Sequence, residues 1–338
     1  MPITTAGISN DILSTTIYDI ADEVAEGLFQ TTPYLSVARK LGKVASFDGG
    51  YKIIVPIETA EHSQITTLNS GWEALNLSVT EATDQAEYDY LRCTIPVLIS
   101  GKEEAMNSGD KAIIDLAEVR YKNALGALTR QINRQIVQGG VVGLTSLGTL
   151  NGNTAAAGST TGFLEDAAPA AQGNLVGGLA RAGVVGLQNQ YRTAGAFALT
   201  DLYDVEALAS TVMPAGGDGG RFHLTLASTG AYTAYRNALF ANERYIDAKT
   251  LDASGVQSLA FSSGVMMPDR DMDVTPALPN AFMLLNLDGI KLAVHSDADF
   301  KFTGFEDISG YDGRYGKILF MGALTGNHLG SSALITGF

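Results

Sequence analysis

The most constraining stretch of the 338-residue sequence runs from about Asp110 to Gln138. Ile114, Ala117, Tyr121, Leu125, Leu128, Ile132 and Ile136 keep a three-four spacing across it, which sets them on one face of an α-helix. Asn107 and Ser108 offer caps, and Gly139-Gly140 offers a stop. Asp110, Asp115 and Glu118 lie in its first half and Arg130 and Arg134 in its last turns, an order that complements the helix dipole. Such a helix is about 40 Å long at 1.5 Å per residue. It is a beam across a domain, and the fold must supply apolar partners along its length.

Upstream of the beam the period changes. Gly49-Gly50 opens a strand over residues 51–57, and a second strand is expected over residues 86–99. In the second, Leu91, Cys93, Ile95, Val97 and Ile99 alternate with Tyr90, Arg92, Thr94 and Pro96, the signature of one buried face. The link between them, residues 58–84, is polar and far too long for a tight hairpin. Long links of this kind are usually functional, and this one predicts a two-stranded loop projecting from the body. Trp72, the only Trp, falls near its tip between Leu68 and Leu75. An exposed Trp there is a contact anchor, and packing against Leu68 and Leu75 is the alternative. At the start, Leu13, Ile17, Ile20, Val24 and Leu28 predict an amphipathic helix over residues 9–29, capped by Ser9 or Asn10 and ended by Pro33. It packs on its own core or reaches a neighbour as an arm.

The remainder mixes both periods. Residues 139–195 are rich in Gly, Ala, Thr and Asn, with a loose helix expected over 175–191. Leu202, Val205, Leu208 and Val212 mark a helix capped by Thr200 or Asp201. A short strand over residues 222–227 leads to a helix capped by Ser228 or Thr229 that carries Tyr232, Tyr235 and Leu239. Residues 282–287 and 290–294 face each other across Asp288-Gly289, a two-residue hairpin signal. A strand over residues 318–323 precedes a Gly- and Ser-rich tail. The fold class is α+β.

The catalytic inventory is nearly empty. His62, His223, His295 and His328 have no metal-binding spacing, and the single cysteine, Cys93, reads as packing. No GxSxG elbow exists, and Ser228 in Ala227-Ser228-Thr229-Gly230 is better read as a cap. Gly216-Gly217-Asp218-Gly219-Gly220 lacks the Lys-Ser/Thr of a phosphate loop and reads as a mobile surface loop. Asp269, Asp271 and Asp273 alternate like calcium ligands, but Val274 stands where the turn glycine belongs and no closing Glu follows, so a turn is expected. Asp297 and Asp299 repeat the theme weakly. No cofactor and no metal is expected. Carboxylates that converge only in space leave a hydrolase open as an alternative.

Lys and Arg number 22 against 36 Asp and Glu, a net charge of −14, and the nearest approach to a basic run is Arg39-Lys40 with Lys43. Tight nucleic-acid binding needs clustered cations, so it is disfavoured, while an acidic wall that encloses DNA without gripping it is allowed. The first residues carry no basic, apolar leader and no apolar run reaches the roughly 18 residues of a membrane span, so a soluble chain made in the cytoplasm is expected.

The order of parts is a helical arm, a long two-stranded excursion, a beam helix and a mixed α/β domain. That order resembles the Hong Kong 97-like major capsid proteins of tailed double-stranded DNA phages. Gly49-Gly50-Tyr51-Lys52-Ile53-Ile54-Val55-Pro56 resembles the strand entering that family's extended loop, and Ile99-Ser100-Gly101-Lys102-Glu103-Glu104-Ala105 the junction into its spine helix. Leu226-Ala227-Ser228 with Tyr232 and Tyr235 resembles the apical strand and helix, and Met321-Gly322-Ala323-Leu324 with Asn327-His328 the closing segment.

The resemblance implies a division into an N-terminal arm (1–48), an extended loop (49–99), a peripheral domain with the spine helix and a Gly-rich connection (100–180), an apical domain with return strands (181–325) and a C-terminal segment (326–338). It implies a structural subunit, not an enzyme, that forms pentamers and hexamers of an icosahedral head shell through loop and arm contacts. Partners would include a scaffolding protein and a portal, around double-stranded DNA held without sequence-specific binding, in a virion assembled in the host cytoplasm. Trp72, Leu68, Leu75, Ile17 and Asp218 are the expected interface residues, Asp218 in a loop at a symmetry axis. A shell subunit of a bacterial nanocompartment is the nearest alternative. The arm helix starts by about residue 10, so a cleaved scaffolding segment is expected to be absent or already removed. No Lys lies between Lys52 and Lys102, so the loop has no nucleophile for the Lys–Asn cross-link of some members, and a non-covalent shell is expected.

Overall fold

A computed structural model describes residues 32–60, 65, 69, 77–79, 81–106, 110–138, 146–148, 162–173, 175–212, 222–241, 259–261, 264–273 and 280–337. The expected arm helix lies outside them. In chain order, helix α1 (Pro33–Lys40) is followed by strands β1 (Val44–Phe47), β2 (Ile53–Glu58), β3 (Thr83–Tyr88) and β4 (Leu91–Ser100). A short helix α2 (Gly101–Met106) then leads into α3 (Asp110–Gln138). Four short strands follow: β5 (Ser146–Gly148), β6 (Gly162–Leu164), β7 (Leu175–Val176) and β8 (Leu179–Ala180). Next come β9 (Gln190–Thr193), α4 (Leu199–Thr211), β10 (Leu224–Ala227), α5 (Thr229–Ala241), β11 (Leu259–Phe261) and β12 (Gly264–Pro268). The chain closes with β13 (Phe282–Leu285), β14 (Ile290–His295), β15 (Lys301–Phe302), β16 (Glu306–Asp307), β17 (Gly313–Gly326) and β18 (Ala333–Thr336).

Helix α3 has the expected bounds. Its buried stripe of Ala117, Tyr121, Leu125, Leu128, Ile132 and Ile136 packs into one core with α1 and with strands of two six-stranded sheets. Burying a side chain of that size contributes ~1.5–3 kcal/mol. The first sheet is built around β17. It pairs with β4 along one edge over residues 313–322, and with β14, β15 and β16 in succession along the other. β1 adds in parallel outside β14. Tyr121 meets Phe302 edge-on at 5.4 Å, which seats α3 on this sheet.

The second sheet has the order β11-β12-β10-β13-β18-β9. All four residues of β10 and of β13 are buried. Leu224, Leu226, Met283, Leu285 and Leu334 face the α3 core. Ala227, Phe282, Leu284 and Ile335 face a second core under α4 and α5. Burial on both faces is why β13 reads as an unbroken apolar run and β10 is interrupted only by Thr225.

Several expectations are corrected. Asp288-Gly289 does not close a hairpin: β13 belongs to the second sheet, with both edges taken by β10 and β18, and β14 belongs to the first. Gly289 stands there because a Cβ would collide with the His328 carbonyl. Residues 86–99 are not one strand. Ala86 and Tyr88 point inward in β3, whereas Leu91, Val97 and Ile99 do so in β4, and the change of parity marks the break. Residues 175–191 form β7, β8, a single 3-10 turn and the start of β9, because Gly177, Gly178 and Gly183 have positive φ and interrupt any helix. Helix α4 begins at Leu199, where the Asp201 carboxylate accepts from Ala198 N–H at 3.0 Å, so Asp201 sits inside the first turn and is not the cap. The closing strand spans 14 residues, not six, and the tail supplies β18, which lies inside the second sheet. The β2–β3 hairpin packs on the body. Ile57, Ala86 and Tyr88 are buried in the main core, and Tyr88 Oη donates to Gly326 O at 2.6 Å.

One fully buried cation holds the region after α3. Arg181 donates to Gly162 O at 2.5 Å, Phe163 O at 2.9 Å and Asn189 Oδ1 at 3.2 Å, with the Glu165 carboxylate 3.8 Å away. Burial pushes its guanidinium down to about 10 against the pull of Glu165. Removing one member of a buried polar network leaves the others unsatisfied. Arg181→Leu is therefore expected to lower unfolding free energy by ~3–5 kcal/mol, read as a shifted midpoint in chemical denaturation. A change below ~1 kcal/mol would show that the network carries no stability.

Candidate intersubunit surfaces

Two described surfaces differ from an ordinary monomer's. The first is the β2–β3 hairpin. With its inner positions spent on the core, Ile54, Pro56, Gln85 and Glu87 point outward, joined by the register Ile54↔Glu87 and Pro56↔Gln85. Tyr51, Ile65, Leu77 and Val79 are nearly fully exposed, Tyr51 at 90%. Apolar side chains concentrated in one excursion are typical of contact surfaces. Between residues 53 and 91 the sequence has seven Asp or Glu and no Lys or Arg. Lys52, just before, pairs with Glu87 at 2.8 Å.

The second is the face of the β17 sheet turned away from α3. The registers Tyr315↔Leu98, Lys317↔Pro96, Leu319↔Thr94 and Met321↔Arg92 put these side chains on one face, and Leu319↔Lys301 and Thr325↔Lys291 add two more. Leu98 is 53% exposed, and Arg92, Pro96 and Lys301 are exposed as well. In a chain of net charge −14, this face carries Arg92, Lys291, Lys301 and Lys317. Its acidic neighbour at the β16 end, Glu306, is engaged by the Tyr315 hydroxyl at 3.1 Å. Asp297 lies 3.9 Å from Lys301.

The junction into α3 is clamped. Arg120 donates to both Glu103 oxygens, at 2.6 and 2.9 Å, and to Leu98 O at 2.6 Å. Those bonds hold the Glu103 carboxyl down at about 2. The other chemistry-bearing residues have structural partners. Ser228 Oγ accepts from Ala231 N–H and Ala281 N–H, so it caps α5. His223 Nδ1 accepts from Leu287 N–H. Asp299 takes a two-pronged bond from Arg39. Cys93 donates weakly to Gln135 at 3.6 Å, and burial pushes its thiol up. Among the described residues no group of three His, Cys, Asp or Glu is arranged to hold a metal.

Ile17, Leu68, Trp72, Leu75 and Asp218 all lie outside the described residues, so the structure neither brings them together nor separates them. The basic face was missed from sequence. Its signal, Lys or Arg at alternate outward positions of neighbouring strands, is visible only once the full span of β17 and its partners is known.

No protein-family model matches the sequence, and no curated protein matches it. Solved structures do. The capsid of cyanophage A-1(L) matches with TM-score 0.59 and 14% identity, covering 89% of this chain and 93% of that one. The capsid of an empty GTA particle matches with TM-score 0.57 and 14% identity, covering 91% and 90%. The SrpI encapsulin of Synechococcus elongatus matches with TM-score 0.52 and 12% identity, covering 88% and 87%. Over nearly its whole length the chain has the Hong Kong 97-like fold, which these shell proteins share.

Lys301 and Lys317 stand off the sheet. Their joint reversal to Glu is expected to leave stability within ~0.5 kcal/mol of the parent. Denaturation of the monomer checks this, and a larger loss would mean that the face is packed within the chain.

Proposed function

We propose that the chain is a structural subunit that self-assembles into the icosahedral head shell of a tailed phage. The observation that carries the reading is whole-chain likeness to shell proteins, the cyanophage A-1(L) and GTA capsids among them. In this reading the chain forms pentamers and hexamers, works with a scaffolding protein and a portal, and is assembled in the host cytoplasm into the virion. It encloses double-stranded DNA without reading it, which the acidic balance supports: an anionic wall repels phosphate and leaves the genome free to move. We also propose the division into arm, extended loop, peripheral domain, apical domain and C-terminal segment. β1 then joins the arm region to the peripheral sheet, and β18 joins the C-terminal segment to the apical one.

The two surfaces supply a contact. The acidic, apolar excursion of one copy meets the basic, apolar face of its neighbour, a heterologous interface that closes into rings. Complementary charge sets register and rate more than affinity, and apolar side chains on both sides supply the burial. A nanocompartment shell, the second reading, uses the same contacts and differs in what it contains.

Electron microscopy of the purified chain, expressed with its neighbouring genes, is expected to show closed shells tens of nanometres across, with boiling in detergent releasing monomer. DNA inside identifies a head and protein cargo a nanocompartment. Dispersed small particles with a substrate pocket would overturn the structural reading in favour of a hydrolase. A ladder of covalent multimers would contradict the non-covalent contact. The Lys301→Glu, Lys317→Glu variant is expected to stay folded and fail to assemble.

A further inference from the structure

The three alternating carboxylates after β12 do separate jobs. Asp273 accepts from Thr229 N–H at 2.9 Å and from its hydroxyl, and so fixes the start of α5. Asp269 N–H bonds to Ala227 O at 2.9 Å, and the Asp269 carboxylate accepts from Asp271 N–H at 2.9 Å. Three contacts go to α3: Asn133 Nδ2 reaches Asp271 Oδ2 at 2.6 Å and the two Asp269 oxygens at 3.3 and 3.4 Å. An amide nitrogen has two hydrogens, so three acceptors compete for them. Asn133 is 2% and Asp269 3% exposed, and Asn133 Oδ1 is buried without a hydrogen-bond partner.

Among the described residues no cation compensates the charge on Asp269. The charged groups beside it are Asp271 and Asp273, on its own segment. From α3 it is faced by the neutral Asn133, and Arg130 and Arg134 are on the exposed side of that helix. From β10 it is faced by a backbone carbonyl, and Arg270 is exposed. Among the described residues no Lys, Arg or His pairs with it. An ionised carboxylate buried without a cation is costly, and so is an acceptor buried without a donor. A single proton relieves both.

We propose that Asp269 and Asn133 form a proton-operated latch between α3 and the second sheet. On taking a proton from solvent, Asp269 donates its hydroxyl to Asn133 Oδ1, while Asn133 Nδ2 stays on Asp271. Burial first, and then its acidic neighbours, push the Asp269 carboxyl up to about 6 even though hydrogen bonds from Asp271 and Asn133 oppose it. The folded state therefore holds this proton more tightly than the unfolded chain. The added stability is complete below the ordinary carboxylate range near ~4 and is lost as pH rises through about 6. The joint is thus looser at neutral pH than in mild acid. The inference rests on geometry within one copy and stands apart from the shell reading.

Hydrogen exchange of the full-length chain, corrected for the intrinsic pH dependence, tests it on peptides from the second half of α3 and from residues 264–273. At mildly acid pH, wild type is expected to be protected several-fold more than at neutral pH in these two segments. Asp269→Asn, whose amide mimics the protonated acid, is expected to keep the acid-level protection at both. Equal wild-type protection at the two values, or an unchanged pH response in Asp269→Asn, would overturn the latch. Should that variant fold poorly, Asp271→Asn provides a second reading. It removes a neighbouring charge, so the wild-type midpoint should move to lower pH, and an unmoved midpoint counts against the proposal.

Discussion

The apolar stripe of α3 is the constraint on which the structure depends. A helix of 29 residues, about 43 Å long at 1.5 Å per residue, cannot be covered by one small sheet. The chain brings two to it. The first sheet places Val97, Ile99, Ile318 and Phe320 of the paired β4 and β17 in its core, and the second places Leu224, Leu226, Met283 and Leu285 in the same core. Long-range pairings such as β4 with β17 and β1 with β14 follow, because the covering elements come from both ends of the sequence.

The two sheets then divide the labour. The second is covered on both faces, by α3 on one and by α4 and α5 on the other. Among the described residues the first is covered on one face, and its other face presents Leu98, Tyr315 and Leu319 among Arg92, Lys301 and Lys317. Layered folds are complete when each apolar face meets another layer. In the proposed assembly a second copy supplies that layer, its β2–β3 excursion having the opposite charge and its own exposed apolar side chains. An open basic face and an acidic hairpin on the same chain are what the proposed shell subunit needs.

Much of this was legible in sequence, for identifiable reasons. α3 was readable to its ends because its periodicity, caps and dipole ordering agree. β4 was readable because one face is buried and its side chains alternate. What escaped was set by tertiary partners. Asp288-Gly289 has the composition of a hairpin turn, but β13 had no free edge, so the turn carries the chain between sheets. The even-to-odd change of inward positions between Tyr88 and Leu91 was present in the residues, yet it separates two strands only once β2 and β17 are seen to claim them. The Gly- and Ser-rich tail hid Ala333–Thr336, too short a run to be distinguished from loop without its neighbours. Of the surfaces, the acidic excursion could be read directly. The basic face could not, because Arg92, Lys291, Lys301 and Lys317 are far apart in sequence and meet only through register.

A high-resolution density map of the assembled particle shows whether one copy completes another by laying its acidic hairpin on the open face of the β17 sheet. The expected map has the residue 53–91 excursion of a neighbour over that face, with its carboxylates within ion-pair reach of Arg92, Lys301 or Lys317. A face left open to solvent in the closed particle, or covered by residues 1–31 of the same copy, would contradict it.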